Sequence, residues 1–436
     1  MKYIKFIYIF LLGLSLTSCE SYFGDDSNVD PDNPTDVTVD VLLPQIQARM
    51  AYTYGGDFTR YAGIYTHHID GVNRQFVVYQ NYGLVNGDVD NMWNNIYSGT
   101  LNSNEQMIAR AEESGANHMV GVGLLLESFT IMMATDAWGD IPYSDAFKFA
   151  ENGVYSPSFD AQEDIYNQIL ANISEARTLL SGDDGGVPIS GDLMYNGDAS
   201  KWIKLSNVLE ARAYLHLSEV NGDAYANVLT ALNRGGFESS ADDFGFQFGT
   251  AATENAPFYQ YIEQRDDCEV GADYVSLMES LGDPRISVFG APHDVPGHPF
   301  FIPDQFLQLI SYTEQEFMRA EALEATGGDS QDALETAVMS SMNEVGVASA
   351  DADAYISSSA VANADLETIM TQKYIALYTN PEVWTDWRRK GLPNLEPNAG
   401  TEIPVRLPYS LAEQLSNTNT PTPATYTVYD EVWWDK

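Results

Sequence analysis

Two cysteines, Cys19 and Cys268, are all that 436 residues contain, and that excludes a fold stapled by a disulfide framework. Positive charge is also scarce. Against 63 Asp and Glu stand 21 Lys and Arg, a formal net charge of −42 that argues against nucleic acid and anionic lipid surfaces as partners. The acidity is spread along the chain rather than blocked, the pattern of a solvated surface rather than a dedicated cation site. Beyond the N-terminal leader no apolar run is expected to be long enough to span a membrane. No Gly-rich phosphate loop, nucleophile elbow or Cys–His pairing occurs. The histidine clusters, His67-His68-Ile69-Asp70 and His293 to His298, lack the helical spacing of a zinc site.

What is present begins at the N-terminus. Lys2 and Lys5 precede an apolar run from Phe6 to Leu16, followed by Leu16-Thr17-Ser18-Cys19. That is a secretory leader over residues 1–18 with a small-residue cleavage site directly before a cysteine, so Cys19 is expected to be cut free and lipidated. Acyl chains on one residue anchor lastingly, since each buried methylene adds about 0.8 kcal/mol. Residues 19–38, acidic and carrying Pro31 and Pro34, read as a tether. At about 3.3 Å per residue it reaches tens of ångströms from the lipid. The chain is 44% hydrophobic, enough for a large core, and residues 39–436 are expected to form a single domain.

Helical periodicity dominates that body. Ile165, Ile169, Ile173, Ala176 and Leu180 form one stripe between Asp160, read as the cap, and Gly182. A second helix spans about 199–220 with Trp202, Leu205, Leu209, Ala213 and Leu217 on a face, and the two should pair as a hairpin. Thr313-Glu314-Gln315-Glu316 reads as a capping box opening a helix that stops at Gly327-Gly328, with another helix from Ser330 to about Val345. Further helices are expected at 40–54, 89–113, 117–137 and 365–379. The reading is mostly α: a superhelical, tetratricopeptide-like scaffold of helix hairpins. The segments 55–88, 221–305 and 391–436 are expected to be irregular and to form the ligand-facing layer.

Motifs in a fixed order run along this body. They are Asn28-Val29-Asp30-Pro31-Asp32-Asn33-Pro34-Thr35, then Thr135-Asp136-Ala137-Trp138-Gly139-Asp140-Ile141-Pro142-Tyr143-Ser144-Asp145-Ala146, then Leu205 to Leu217 with Arg212. Gly282-Asp283-Pro284-Arg285 and Tyr312 to Ala322 follow, then Ser341 to Val347 and Gln372 to Tyr378, ending in Glu382-Val383-Trp384-Thr385-Asp386-Trp387-Arg388-Arg389-Lys390-Gly391-Leu392-Pro393. Together, behind the leader, they resemble the SusD/RagB nutrient-binding outer-membrane lipoproteins, nearest the SusD-like branch. The resemblance implies a non-enzymatic protein that captures oligosaccharides or peptides at the cell surface, without a cofactor. It implies as partner a SusC-like TonB-dependent transporter in the outer membrane, and the acidic stretch after Cys19 resembles a surface-export signal. Only 291–311 separate Gly290 from Tyr312, where relatives often carry a longer insertion, so the ligand face is expected to be trimmed.

A sugar ring offers an apolar face and a rim of hydroxyls, so a site needs exposed aromatics edged by polar groups. Arg74, Gln75, Phe76, Tyr79 and Tyr82 supply that mixture, as do Phe258, Tyr259, Tyr261, Arg265 and Tyr274. The alternative reading is a glycoside hydrolase built on paired carboxylates such as Asp136, Asp140 and Asp145. Against it, Gly139 and Pro142 end a helix there, and Asp140 is expected to cap or to bond turn amides. Trp384, Trp387, Arg388 and Arg389 are expected to lock the last helix to the scaffold. Asp88-Val89-Asp90 could bind calcium but lacks the EF-hand spacing.

Overall fold

The computed structural model describes residues 38–148, 153–293, 298 and 300–435. The leader, Cys19, the tether to residue 37 and most of the 293–298 histidine cluster lie outside the described residues. The chain opens with α1 (Val39–Thr53), α2 (Thr59–Tyr65), β1 (Ile69–Gly71), α3 (Arg74–Gln80), α4 (Asp90–Asn94), α5 (Asn102–Ser114) and α6 (Asn117–Trp138). The short strands β2 (Ile141–Pro142) and β3 (Phe159–Asp160) lead into α7 (Gln162–Leu180), α8 (Ala199–His216) and α9 (Ala224–Asn233). Then come β4 (Phe244–Gln247), α10 (Pro257–Arg265), β5 (Cys268–Val270), α11 (Ala272–Leu281), α12 (Ile286–Phe289) and β6 (Phe306–Ile310). The C-terminal helices are α13 (Tyr312–Thr326), α14 (Gln331–Glu344), α15 (Ser349–Ile356), α16 (Leu366–Ala376), α17 (Glu382–Lys390) and α18 (Leu411–Ser416). The strands pair antiparallel as three separate ribbons, β1 with β5, β2 with β3 and β4 with β6.

The mostly helical scaffold of stacked hairpins is as expected. Helix α7 buries its predicted stripe, pairs with α8 on one flank and lies along α6 on the other. A β-carbon on Gly121 would lie 2.8 Å from Leu180, and one on Gly123 would lie 2.5 Å from Ile108, so both glycines let neighbouring helices press close. Helices α13 and α14 form the second hairpin across Gly327, whose φ of 73° ends α13 in the left-handed conformation that favours glycine.

Several expectations need correction. Helix α6 is long and apolar enough to cross a membrane, although 89% of its most apolar window is buried among other helices. The segments 55–88, 221–305 and 391–436 contain α2, α3, α9 to α12 and α18, helices of four to ten residues. Helices that short are held by tertiary packing, and their local periodicity is too brief to read. The cap of α7 is not Asp160, whose carboxylate accepts the amides of Tyr143 (2.9 Å) and Ser144 (2.8 Å). Instead Asp140 accepts the Gln162 amide at 2.9 Å. Helix α13 is capped by Ser311, which accepts the Glu314 amide, while Thr313 donates to Glu344 at 2.6 Å.

Several charged residues of the ordered motifs prove to be buried and paired. Arg212 grips Glu314 with two bonds (2.7 and 2.5 Å), and Arg285 binds Asp283 at 2.6 Å and Gln372 at 2.6 Å. Arg389 joins Glu321 (2.9 Å) to Asp386 (2.6 Å). Arg388 lies between the rings of Trp384 and Trp434, 4.2 and 4.6 Å from their centroids, and donates to the carbonyls of Asp136 and Val405. The irregular C-terminal stretch is tied down by indole donors, Trp138 to the Pro408 carbonyl (2.8 Å) and Trp384 to that of Pro404 (3.0 Å).

Candidate functional site

The two segments chosen for their aromatic and polar content meet in space. Strand β5 follows α10 directly and pairs with β1, Ile69 facing Val270 and Gly71 facing Cys268. Gly271 permits the turn into α11, since a β-carbon there would collide with the His67 carbonyl. Arg74, exposed at the start of α3, reaches across to the Asp267 carboxylate and the Arg265 carbonyl. Arg265 binds the other oxygen of Asp267 at 2.7 Å and the Gln75 side chain at 3.4 Å. Asp267 is thus a buried carboxylate clasped by two guanidiniums, which holds α3 against the end of α10.

Within this layer the ten selected side chains divide sharply. Phe76, Tyr79, Tyr82, Phe258 and Tyr274 are buried, and their rings pack against protein. Tyr274 stacks on Tyr378 with centroids 4.9 Å apart and donates to the Ile375 carbonyl. Tyr79 donates to Asp88 at 3.1 Å, and burial outweighs the nearby Arg60 charge to push its hydroxyl up to about 12. Tyr82 accepts the Asn398 amide at 2.8 Å. Tyr261, half-buried, donates to Asp57 at 3.0 Å, and its ring closes an aromatic box of Tyr61, Phe76 and Tyr79 around the Arg60 guanidinium. Arg74, Gln75, Tyr259 and Arg265 keep solvent access.

Beside this clasp opens a cleft of ≈ 780 Å³ between α10, β5, α11 and the residues 290–293 and 301–303. Tyr259 and Ile262 line it from α10, Val270 and Val275 from β5 and α11, and His293 and Phe301 from the opposite wall. Carboxylates of Glu263, Asp266 and Glu269 edge it. Asp266, at φ 51°, ends α10 and receives the His293 ring at 3.0 Å, which ties the two walls together. The cleft therefore joins an accessible aromatic, an apolar floor and hydrogen-bonding edges. Its far wall escaped sequence reading, because 290–303 carries no periodicity and His293 stood out only as a metal candidate.

Two of the three carboxylates considered for hydrolysis, Asp136 and Asp140, are spent elsewhere. Asp136 is buried and accepts Tyr166 (2.5 Å), Trp434 (2.8 Å) and His216 (3.1 Å), while Asp140 caps α7. Asp88 receives the Val85 amide (2.9 Å) and Asp90 the Ser410 hydroxyl (2.6 Å), so the two point to different partners. Among the described residues no cluster of three or more His, Cys, Asp or Glu is arranged to hold a metal ion.

Known proteins bear on this arrangement. A SusD-like family model, described as starch-binding and associating with the outer membrane, matches residues 31–298 and 301–410. Among similar solved structures is one titled a chitin-binding protein, at 24% identity, TM-score 0.77, covering 92% of this chain and 100% of that one. A SusD/RagB family protein from Bacteroides thetaiotaomicron aligns at 22% identity and TM-score 0.77, covering 92% of this chain and 99% of its own. A chitin-binding SusD homolog from Flavobacterium johnsoniae aligns at 20% identity and TM-score 0.73, covering 91% and 98%. No curated protein matches the chain. These structures share the fold, and the family match, unbroken but for residues 299 and 300, agrees with the ordered motifs: the chain belongs to the SusD-like family of outer-membrane-associated proteins.

Proposed function

We propose that this protein is a non-catalytic surface lipoprotein that captures oligosaccharides in the cleft between α10 and residues 290–293 and 301–303 and passes them to a TonB-dependent transporter. The observation that carries the reading is the conjunction of Tyr259, an apolar floor and three edging carboxylates in one open cleft. Stacking on an aromatic face with hydrogen bonds at the ring edge is what a sugar requires, and the acidic edge disfavours anionic ligands. The family description supports a glycan over a peptide, and the lipidation expected at Cys19, with the acidic stretch after it, is the sequence's support for a tethered lid at the cell exterior.

Calorimetric titration with starch-derived and chitin-derived oligosaccharides tests it. Saturable binding that weakens in Tyr259→Ala, with no shortened sugar in the mixture, is expected. Release of shorter products would overturn the non-catalytic reading, and peptide binding without glycan binding would overturn the ligand class. Protease treatment of intact cells should cut the chain, and complete protection would sink its placement on the exterior.

A further inference from the structure

A second cleft, of ≈ 490 Å³, lies between α6, α7 and the segment 143–148, and it shares no lining residue with the first. Its size falls within the range of about 300–1,000 Å³ usual for small-molecule sites. Three features make it more than a surface dip. Glu127, only 8% exposed, lines it from a mostly apolar helix. Tyr143 donates to Glu127 Oε1 at 2.5 Å, Asn172 donates to Tyr143 at 3.0 Å, and Gln168 donates to Asn172 at 2.7 Å. This relay runs from the buried carboxyl to the exposed Gln168, while Glu127 Oε2 has no hydrogen bond among the described residues.

The second feature is Phe147, which stands in the cleft with φ 63°. A bulky side chain in the left-handed region is costly, and such conformations persist where the surroundings enforce them. Asp160 pins the chain three residues before Phe147 by accepting the amides of Tyr143 and Ser144 and the Ser144 hydroxyl (2.5 Å). The third is charge. Burial pushes the Glu127 carboxyl up to about 7, so near neutrality it either accepts or donates a hydrogen bond, as a hydroxyl ligand requires. Among the described residues that line it, Glu105, Asp160 and Asp164 outnumber the one cation, Lys148, an unfavourable field for an anion.

We propose that this cleft is a second saccharide subsite, seating one uncharged pyranose ring on Phe147 with its hydroxyls bonded to Glu127, Asn172 and Gln168. It rests on the reading of the chain as a glycan binder and adds a separate site to it. Two subsites on one tethered body would raise the effective concentration of a long glycan without any tighter single contact.

The test is calorimetric titration of the mature chain with N-acetylglucosamine hexamer, maltohexaose and, as a charged analogue, glucosamine hexamer. Two sites per chain are expected for a neutral hexamer. Phe147→Ala, Glu127→Gln and the exposed Gln168→Ala should each weaken one of them at least tenfold and leave the site sensitive to Tyr259→Ala unchanged. Gln168→Ala guards against misfolding, since it removes only a surface amide. One site, lost in Tyr259→Ala and indifferent to the other three variants, would overturn the second subsite and leave the proposed function standing. One site lost only in the Phe147, Glu127 and Gln168 variants would keep the subsite and overturn the first cleft. Binding of neither neutral hexamer would overturn both, and preference for glucosamine hexamer would overturn the uncharged ligand class.

Discussion

His216 Nε2 lies 2.7 Å from Glu382 Oε1, in a place where neither side chain reaches solvent. On the opposite side of the ring, Nδ1 lies 3.1 Å from Asp136. Burial alone would lower the imidazole's pKa, but the Glu382 and Asp136 carboxylates override it and push the group up from 6.5 to about 9. The folded state thus binds this proton more tightly than the unfolded chain. The stabilisation is full below the unfolded value of 6.5 and is lost as pH rises through about 9. It is on the order of a few kcal/mol at its fullest. Thermal unfolding followed from pH 6 to 10 should show wild type losing stability across that window. His216→Gln should be less stable at pH 6 and nearly flat above. Parallel curves would refute the assignment.

The clasp of Arg212 on Glu314 joins α8 to α13 in the buried interior, with a further bond from Arg212 to the Leu309 carbonyl (2.9 Å). Arg212→Met strands a buried carboxylate and should cost about 3–5 kcal/mol. Adding Glu314→Gln should restore part of it, and chemical denaturation of the four members of the cycle measures the coupling. Simple additivity would show that the pair does not act as a unit.

Aromatic substitutions should separate into two kinds. Phe76→Ala and Tyr274→Ala remove fully buried rings and should cost about 3–5 kcal/mol of stability. Tyr259→Ala, at the cleft, should melt near wild type and weaken oligosaccharide binding at least tenfold. Binding and melting measured side by side decide between the two. A stable Tyr259 variant with full affinity would remove the residue from the site.

At Gly121 the β-carbon of any larger residue meets Leu180 at 2.8 Å and the Ala176 carbonyl at 3.1 Å. Gly121→Val should therefore destabilise by about 1–3 kcal/mol through overpacking of α6 on α7, read as a lowered denaturation midpoint. Gly186, whose β-carbon would meet nothing within 4 Å but whose φ is 76°, provides a control for strain without crowding.

The long helices were legible because their signals are local. The stripe from Ile165 to Leu180 and the stop at Gly327 each lie within a few turns of one another. The short helices α2, α3 and α10 were not, because a turn or two of periodicity is indistinguishable from loop composition. Caps failed for a related reason. Asp140 reaches α7 from across the β2–β3 ribbon, and no rule about the residues next to a helix contains it.

By itself the sequence determined the helical character of this chain, the positions of its principal helices and the motif order that marks its family, since periodicity and order are properties of the linear chain. Only the tertiary structure decided which aromatics are accessible. Phe76, Tyr274 and Tyr259 sit in similar surroundings along the chain, but exposure depends on what packs across from each ring. For Tyr274 that is Tyr378, more than a hundred residues away, and for Tyr259 it is an open cleft. The burial of Arg212, Arg285 and Arg389 was decided the same way, because a charge enters the core only where the fold brings a carboxylate to meet it.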